Sequence, residues 1–317
     1  MEPTLGGIYL EDIKAPECFY IEKKLKERMS IPVFHDDQHG TAIISAAGML
    51  NALKVIGKKI ADVKVVCSGA GAAAISCLDL WCDLGIQKKN VTVCDSKGVI
   101  WVGRDAKMDD TKARYAQNTA FRTLADAMVG ADVFLGLSTA GVLKPEMVKT
   151  MADKPIIFAL SNPTSQAECT AEQAIAWSDG RAIVATGSPF DPVTHGGARH
   201  RIGQCNNAFI FPGVGLGVCV AKARHVSDGM FLDAARALAS KVTEADIAES
   251  AVFPQLDTIR DCSHAVACAV IRRAVAEGHA DAEVLEDLEH VVREAMWFPE
   301  YLPIHHEPAG VPEHAHA

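Results

Sequence analysis

Acidic side chains occur as two adjacent pairs in the N-terminal part of the chain. One pair is Glu11-Asp12, and the other, Asp36-Asp37, follows the apolar triplet Pro32-Val33-Phe34. Mg²⁺ and Mn²⁺ prefer oxygen ligands, and water and substrate oxygens complete an octahedral shell. Three carboxylates from two segments would suit such an ion, and Glu11-Asp12 would then have to lie on a turn. The alternative is structural: Asp37 or Thr41 caps the helix that follows.

A glycine-containing loop follows the short β-branched run Val63–Cys67 and precedes a helical pattern. Its sequence matches G-x-G-x-x-A, in which Gly69 permits a tight turn and Gly71 permits close approach of a pyrophosphate. The N-terminus of the following helix would supply N–H donors and a positive dipole end. A purely structural turn is the alternative. The predicted dinucleotide contacts are Gly69, Ala70, Gly71, Ala72 and Ala73.

Asp95 follows the next apolar run, Val91–Cys94, where a carboxylate can accept hydrogen bonds from ribose hydroxyls. A carboxylate there favours NAD, because it repels the 2′-phosphate of NADP. Ser96, Lys97 and Arg104 are near in sequence and could hold that phosphate. Lys97 could equally be a solvated turn residue, so the choice between NAD and NADP stays open.

Asparagines occur after the fourth predicted strand and before a Phe-Ile-Phe-Pro-Gly segment. Asn162 lies in Leu160–Thr164, and Asn206-Asn207 precede the second segment. Asn-Pro and Asn pairs are typical of turns and loops. The carboxyl end of a parallel strand is also where ligand-binding groups belong, and an amide can donate to a substrate carboxylate. Spacing alone leaves both interpretations open.

The elements that would position these residues alternate between strand and helix. Short, continuous apolar strands separated by helices predict an α/β fold with a doubly wound parallel sheet of Rossmann type, flanked by helices at both ends. The predicted strands are Val63–Cys67, Val91–Cys94, Ala131–Gly136, Pro155–Leu160 and Ala182–Ala185. The predicted flanking helices are Ala15–Arg28, Thr41–Ile56, Asp228–Lys241, Thr243–Glu249, Thr258–Glu277 and Glu283–Glu294.

Composition limits the class of protein. The 317 residues are 49% apolar, and 31 Lys and Arg against 40 Asp and Glu give a net charge of −9. This balance argues against nucleic acid or an anionic membrane as the main partner. The ten cysteines have no C-x-x-C spacing, which predicts reduced thiols in a cytoplasmic protein. The N-terminus shows no secretory signal pattern, and no apolar run is long enough to span a bilayer.

Several long segments resemble one family, the malic enzymes. They include GGIYLEDIKAPECF, IPVFHDDQHGTA, VCSGAGAAA, VCDSKGVI, IIFALSNPTSQAECTAEQA, ATGSPFDPV and NNAFIFPGVGLGV. The chain resembles the C-terminal, metal- and NAD-binding portion of these enzymes, which oxidatively decarboxylate malate to pyruvate with NAD or NADP and Mg²⁺ or Mn²⁺. We expect residues 1–58 to belong to the catalytic domain, 59–220 to the Rossmann-type domain, 221–300 to a helical segment and 301–317 to a flexible tail.

The resemblance implies roles for matching positions. Glu11, Asp12 and Asp37 match the metal carboxylates, and Asp36 matches a neighbouring catalytic aspartate. Asn162 and Asn207 match amides that face substrate, Asn162 also next to the cofactor. The nucleotide contacts implied are Gly69, Ala70, Gly71, Ala72, Ala73, Asp95, Ser96 and Lys97. Malate and pyruvate are the implied substrate and product, and the full-length family implies a homo-oligomer.

The chain departs from the family pattern in its N-terminal region. That region carries the family's tyrosine acid, lysine base and an arginine, whereas Tyr9 and Lys14 do not match those motifs. Loss of two acid–base groups, each worth about 10²–10⁴-fold, predicts a slow enzyme or a catalytically silent fragment that binds NAD(P) and metal. A different Rossmann dehydrogenase, acting without metal, is a third hypothesis. Cys205 replaces a usual glycine, which predicts strain if that position needs a positive φ.

Overall fold

The structure is a computed structural model that describes residues 2–14 and 16–301. Apart from Tyr301, the tail predicted at 301–317 lies outside the described residues. The strands are β1 (Ile8–Leu10), β2 (Val33–His35), β3 (Val65–Ser68), β4 (Val91–Asp95), β5 (Gly98–Val99), β6 (Val133–Gly136), β7 (Ile156–Ala159), β8 (Ile183–Thr186), β9 (Val193–His195), β10 (Ala198–His200) and β11 (Gly203–Gln204).

The α-helices alternate with the strands in the middle of the chain and follow one another after it. They are α1 (Glu17–Arg28), α2 (Asp36–Ile56), α3 (Ala72–Leu84), α4 (Asp110–Ala113), α5 (Leu124–Met128), α6 (Pro145–Thr150), α7 (Ala171–Trp177), α8 (Phe211–Val220), α9 (Asp228–Ala239), α10 (Glu244–Ala248), α11 (Ile259–Ala276) and α12 (Leu288–Ala295). Single turns of 3₁₀-helix occupy Glu2–Thr4, Ile60–Asp62, Lys88–Asn90, Thr164–Gln166, Asn207–Phe209, Leu256–Thr258 and Ala282–Leu285.

Seven strands form one sheet in the order β11-β8-β7-β6-β3-β4-β5. All neighbours pair in parallel except β4 and β5 at one edge, which are antiparallel. The chain passes from β3 to β4 on one side and later to β6 on the other side of β3, which places a topological switch point there. The prediction of a doubly wound α/β fold is confirmed, with an antiparallel edge that the sequence analysis did not include.

Side chains alternate between two buried faces of this sheet. On β3, Val65 and Cys67 pack in a large core with α2, α3, α8, α9 and α11. The intervening Val66 packs in a smaller core with α5, α6 and α7. Because both faces are covered, each central strand is a continuous apolar run, as the sequence predicted.

Four predicted helices differ from the structure by one or two residues at an end, and two differ more. The helix predicted at Thr41–Ile56 begins five residues earlier, at Asp36. The helix predicted at Glu283–Glu294 is two elements, a 3₁₀ turn and α12, separated by Asp287 in the left-handed conformation at φ 51°. The predicted domain limits at 58, 220 and 300 stay predictions.

A second, two-stranded sheet precedes the nucleotide-type domain. Strands β1 and β2 are parallel, and Leu10 lies opposite His35. Within residues 2–14 and 16–301, all ten cysteines are free, and Cys219 is the exposed one. None of the helices described has the length and apolarity needed to cross a membrane.

Candidate functional site

The two acidic pairs lie at the same edge of the small parallel sheet. Glu11 directly follows β1 and Asp36 directly follows β2, and the register of the two strands places these positions side by side. Glu11 and Asp12 lie outside helix and strand, and Asp12 has a φ of 58°. Aspartate tolerates this left-handed conformation better than most residues. The expectation that Glu11-Asp12 occupies a turn therefore agrees with the backbone.

Helix capping does not account for the second acidic pair. The N-cap of α2 is His35, which makes no side-chain cap hydrogen bond. Asp36 and Asp37 occupy the first turn, and Thr41 lies inside the helix, so none of them is the N-cap. Carboxylates in the first turn are still stabilised by the helix dipole.

Asp36 is the centre of a buried polar network. It is 5% exposed, and the Asn207 amide nitrogen donates to both of its carboxylate oxygens at 2.7 and 2.8 Å. The Tyr9 hydroxyl also hydrogen-bonds to Asp36. Burial raises the pKa of Asp36 above its ordinary value, and nearby Asp37 adds to this, although both hydrogen bonds oppose it. Burial and the same carboxylates also raise the pKa of Tyr9, which keeps its hydroxyl protonated.

A polar cavity of about 120 Å³ brings four of the predicted residues together. Asp36, Asp37, Asn162 and Asn207 all line it. Cys205 lines the same cavity, but it is absent from the described residues with positive φ. The condition under which strain was expected at Cys205, a positive φ, is therefore not met.

The predicted metal carboxylates are near this cavity but do not form a closed cluster. Asp37 lines the cavity with half of its side chain exposed. Glu11 and Asp12 are exposed and directly follow β1. Among the residues described, the three carboxylates are not within 4.8 Å of one another. Like charges repel in the absence of a counter-ion. The donor set, all carboxylate oxygen from two adjacent segments, fits a hard divalent ion.

The glycine loop forms the carboxyl edge of the large sheet at the switch point. Gly69 has a φ of 126°, and a Cβ there would lie 2.2 Å from the Leu137 carbonyl oxygen. Gly71 is the N-cap of α3, and a Cβ there would meet open space. Ala70, Gly71 and Ala72 line a cavity of about 480 Å³ that also includes Lys112. Its size lies within the range of small-molecule sites.

Asp95 forms an ion pair that the sequence analysis did not predict. Arg104 donates two hydrogen bonds to its carboxylate, Nη1 to Oδ1 at 2.9 Å and Nη2 to Oδ2 at 2.7 Å. The Lys97 backbone amide also donates to Oδ1, at 2.8 Å. Burial opposes ionisation, but these partners hold the pKa of Asp95 below its ordinary value. Lys112 lies 3.6 Å away, and Lys107 donates to the Ser96 hydroxyl. Ser96 and Lys97 therefore lie in a basic environment.

Sequence reasoning missed a buried carboxylate that joins two ligand-facing loops. Glu168 is 0% exposed and accepts from the Ser138 amide at 2.8 Å and from the Ser161 hydroxyl at 2.6 Å. Ser138 follows β6, and its hydroxyl bonds Ser68 of the glycine loop at 2.9 Å. Ser161 precedes Asn162. The only available sequence signal was an acid between two apolar residues, Ala167 and Cys169.

Comparison with known proteins agrees with this arrangement. Residues 38–275 match the family described as malic enzyme, NAD binding domain. The chain is 52% identical over 245 residues to the NADP-dependent malic enzyme of Haemophilus influenzae, covering 77% of this chain and 31% of that protein. It is 50% identical over 244 residues to an NAD-dependent malic enzyme of Rhizobium meliloti, covering 77% and 30%.

A solved structure shows the same fold. The crystal structure of Entamoeba histolytica malic enzyme matches with a TM-score of 0.78 and 35% identity, over 92% of this chain and 60% of that one. The chain spans about a third of the length of the two bacterial relatives, 31% and 30%. The family match covers most of the strands, helices and cavities described above. The chain belongs to the malic enzyme family.

Proposed function

We propose that this chain carries the chemistry of an oxidoreductase that converts (S)-malate to pyruvate and CO₂, with reduction of NAD⁺ or NADP⁺ and with Mg²⁺ or Mn²⁺. The observation that carries the proposal is the cavity shared by Asp36, Asp37, Asn162 and Asn207. It combines carboxylates for a hard cation with amides for a substrate carboxylate. Such a combination suits a small hydroxy acid bound through a metal.

The carboxylates and the amides at this site would have different roles. Glu11, Asp12 and Asp37 would hold the divalent ion, and the Asn162 and Asn207 amides would orient malate. When bound, the ion supplies Lewis-acid polarisation of the malate oxygens, and the nicotinamide supplies hydride acceptance. Asp36, whose pKa is raised, is suited to take a proton from substrate, because a base works best with a pKa close to the working pH.

Tyr9 and Asn207 keep that base in place in the proposal. The Asn207 amide donates to both Asp36 oxygens, and the Tyr9 hydroxyl donates a hydrogen bond to the same carboxylate. Protonation of Asp36 would weaken both hydrogen bonds, since bonds to an ionised acceptor are the stronger ones. The network therefore favours the ionised form that is ready to act as a base.

The environment of Asp95 would allow the chain to bind NADP. An unpaired Asp95 would repel a 2′-phosphate, but Arg104 neutralises the Asp95 carboxylate through a bidentate ion pair. Lys112 and Lys107 add positive charge beside Ser96. We therefore propose that the chain accepts NADP as well as NAD. We also propose a cytoplasmic location and, as the family resemblance implies, a homo-oligomer.

The test follows absorbance of the reduced nicotinamide with malate and Mn²⁺, once with NAD⁺ and once with NADP⁺. We expect reduction that stops on addition of a chelator and is lost in Asp37→Ala. Asp62→Ala, an exposed acid outside the cavity, is the matched control and should keep full activity. Nucleotide and metal binding without turnover would instead identify a silent binding fragment. Turnover that persists without metal would overturn the proposal in favour of a different dehydrogenase.

A further inference from the structure

Away from the proposed active site, three side chains with metal-binding atoms converge between the last two helices. His264 and Cys268 are four residues apart on α11, so they project from one face of the helix. Glu289 reaches them from α12. In the part of the chain that the structure describes, this is the group of three or more such side chains whose ligand atoms all lie within 4.8 Å of one another.

The spacing of these atoms matches a tetrahedral metal site. Oε2 of Glu289 lies 3.5 Å from Cys268 Sγ and 3.6 Å from His264 Nδ1. Zinc bonds of about 2.3 Å to sulfur, about 2.0 Å to nitrogen and about 2.1 Å to oxygen, at tetrahedral angles, separate sulfur and oxygen by about 3.6 Å and nitrogen and oxygen by about 3.4 Å. These two distances need adjustments of only tenths of an ångström, and the ligand atoms of Cys268 and His264 lie within 4.8 Å of each other.

The histidine is held in the tautomer that a metal requires. Nε2 of His264 lies 2.9 Å from the Glu289 carbonyl oxygen. A carbonyl oxygen accepts and never donates, so Nε2 must carry the hydrogen of this bond. In the neutral ring, Nδ1 then carries the free lone pair, and it lies 3.6 Å from Oε2 of Glu289. Histidines that ligate metals commonly donate their other ring N–H to a backbone carbonyl in this way.

The three side chains are buried on one side of the site and open to solvent on the other. Cys268 is 1% exposed and His264 is 8% exposed, whereas the Glu289 side chain is 60% exposed. Arg272 donates to the other Glu289 oxygen, Oε1, at 2.5 Å, which leaves Oε2 for the ion. A thiolate and a carboxylate offset a divalent charge, and Arg272 leaves one positive charge in excess. The exposed side admits water as a fourth ligand.

We propose that His264, Cys268 and Glu289 form a site for a borderline-soft divalent ion of the zinc class, separate from the hard-cation site near Asp37. Sulfur and imidazole ligands select zinc over magnesium, which prefers oxygen alone. On binding, the Cys268 thiol becomes a thiolate and its proton passes to water. The ion would tie α12 to α11, and so it would stabilise the C-terminal helical layer.

The test titrates the full chain with Co²⁺, a spectroscopic stand-in for zinc. We expect an ultraviolet sulfur-to-cobalt charge-transfer band that saturates at one ion per chain and is bleached by zinc. Cys268→Ser should abolish the band. Cys262→Ser removes another buried thiol of the same helix, and Cys219→Ser removes the exposed thiol; both should keep the band. Carboxylates near Asp37 and histidines of the C-terminal tail cannot produce it.

A second pair of variants tests the site if Cys268→Ser does not fold. Glu289→Gln changes an exposed side chain and should raise the dissociation constant for Co²⁺ at least about 10-fold, since even outer-shell changes cost that much. Glu294→Gln, an exposed acid of the same helix, is the control and should change nothing. No band in the folded chain, a band retained in Cys268→Ser, or unchanged affinity in Glu289→Gln would each overturn the proposal.

Discussion

Glu168 should control the stability of the two loops that follow β6 and β7. Its carboxylate accepts from the Ser138 amide through Oε1 and from the Ser161 amide through Oε2, at 2.8 and 3.3 Å. The Ser161 hydroxyl donates to Oε1 at 2.6 Å. Glu168→Gln keeps the shape of the side chain but turns one acceptor oxygen into an NH₂ donor. The backbone N–H of either Ser138 or Ser161 must then face the new NH₂ group, which cannot accept its hydrogen bond.

The cost can be worked out from these contacts. An unsatisfied buried donor costs about 1–3 kcal/mol, and replacing a charged acceptor by a neutral one weakens each remaining bond by about 1 kcal/mol. Together these give a loss of about 3 kcal/mol in the free energy of unfolding. At about 2–4 °C per kcal/mol, the thermal midpoint should fall by about 6–12 °C. Nucleotide binding should weaken as well, because the loop after β6 is hydrogen-bonded to Ser68 of the glycine loop.

The assay is thermal unfolding followed by circular dichroism, with equilibrium binding of reduced nicotinamide followed by fluorescence. Glu172→Gln, an exposed acid at the start of α7, is the matched control and should stay within about 0.5 kcal/mol. A cycle with Ser161→Ala should show a coupling energy of about 0.5–3 kcal/mol. If Glu168→Gln is no less stable than Glu172→Gln, the carboxylate does not hold these loops and the reasoning fails.

Four further substitutions test folding, nucleotide binding and the pH dependence of stability. Gly69→Ala should unfold at a lower temperature, because its φ is 126° and a Cβ would strike a carbonyl oxygen, whereas Gly71→Ala should melt normally yet bind nucleotide more weakly in a titration. Arg104→Ala should weaken NADP⁺ more than NAD⁺ in paired affinity measurements, because Asp95 would then repel the 2′-phosphate. Asp246→Asn should lose about 1–3 kcal/mol at neutral pH. Burial opposes ionisation of Asp246, but its hydrogen bonds hold its pKa below the ordinary value. Its stabilisation is therefore complete above about pH 5 and lost as pH falls through the folded pKa, so urea unfolding at several pH values should show the mutant deficit shrinking in acid.

The sheet was predictable where burial makes the sequence simple. The five central strands are covered on both faces, so each is an unbroken apolar run that stands out from its surroundings. The short strands were missed because a strand of two or three residues is too short to show an alternating apolar pattern. The hairpin of β9 and β10 was within reach, since Gly196-Gly197 both have positive φ and such pairs favour a tight hairpin turn.

The sequence indicated which residue types lie at the candidate site, but not which hydrogen bonds and ion pairs they form. Asp36 and Asn207 are 171 positions apart, and only the folded chain shows that one amide holds both carboxylate oxygens. Asp95 and Arg104 were each identified, but their ion pair reverses the charge argument for cofactor choice. Glu168 was missed because a buried acid with backbone partners resembles an ordinary surface acid in sequence. Local patterns identify groups, whereas tertiary contacts set their charge state.

The packing around Asp36 explains how an apolar core can hold a polar network in place. Gly40 lies one turn after Asp36, and a Cβ there would be 2.5 Å from both an Asp36 oxygen and the Phe211 ring. Its missing side chain lets that ring approach, and Phe211 then packs against Phe34 and edge-on against Tyr9, with centroids 5.6 and 4.9 Å apart. The Tyr9 ring is thereby fixed while its hydroxyl reaches Asp36. Aromatic contacts of about 0.5–1.5 kcal/mol each thus hold the hydrogen bond that tunes the proposed base.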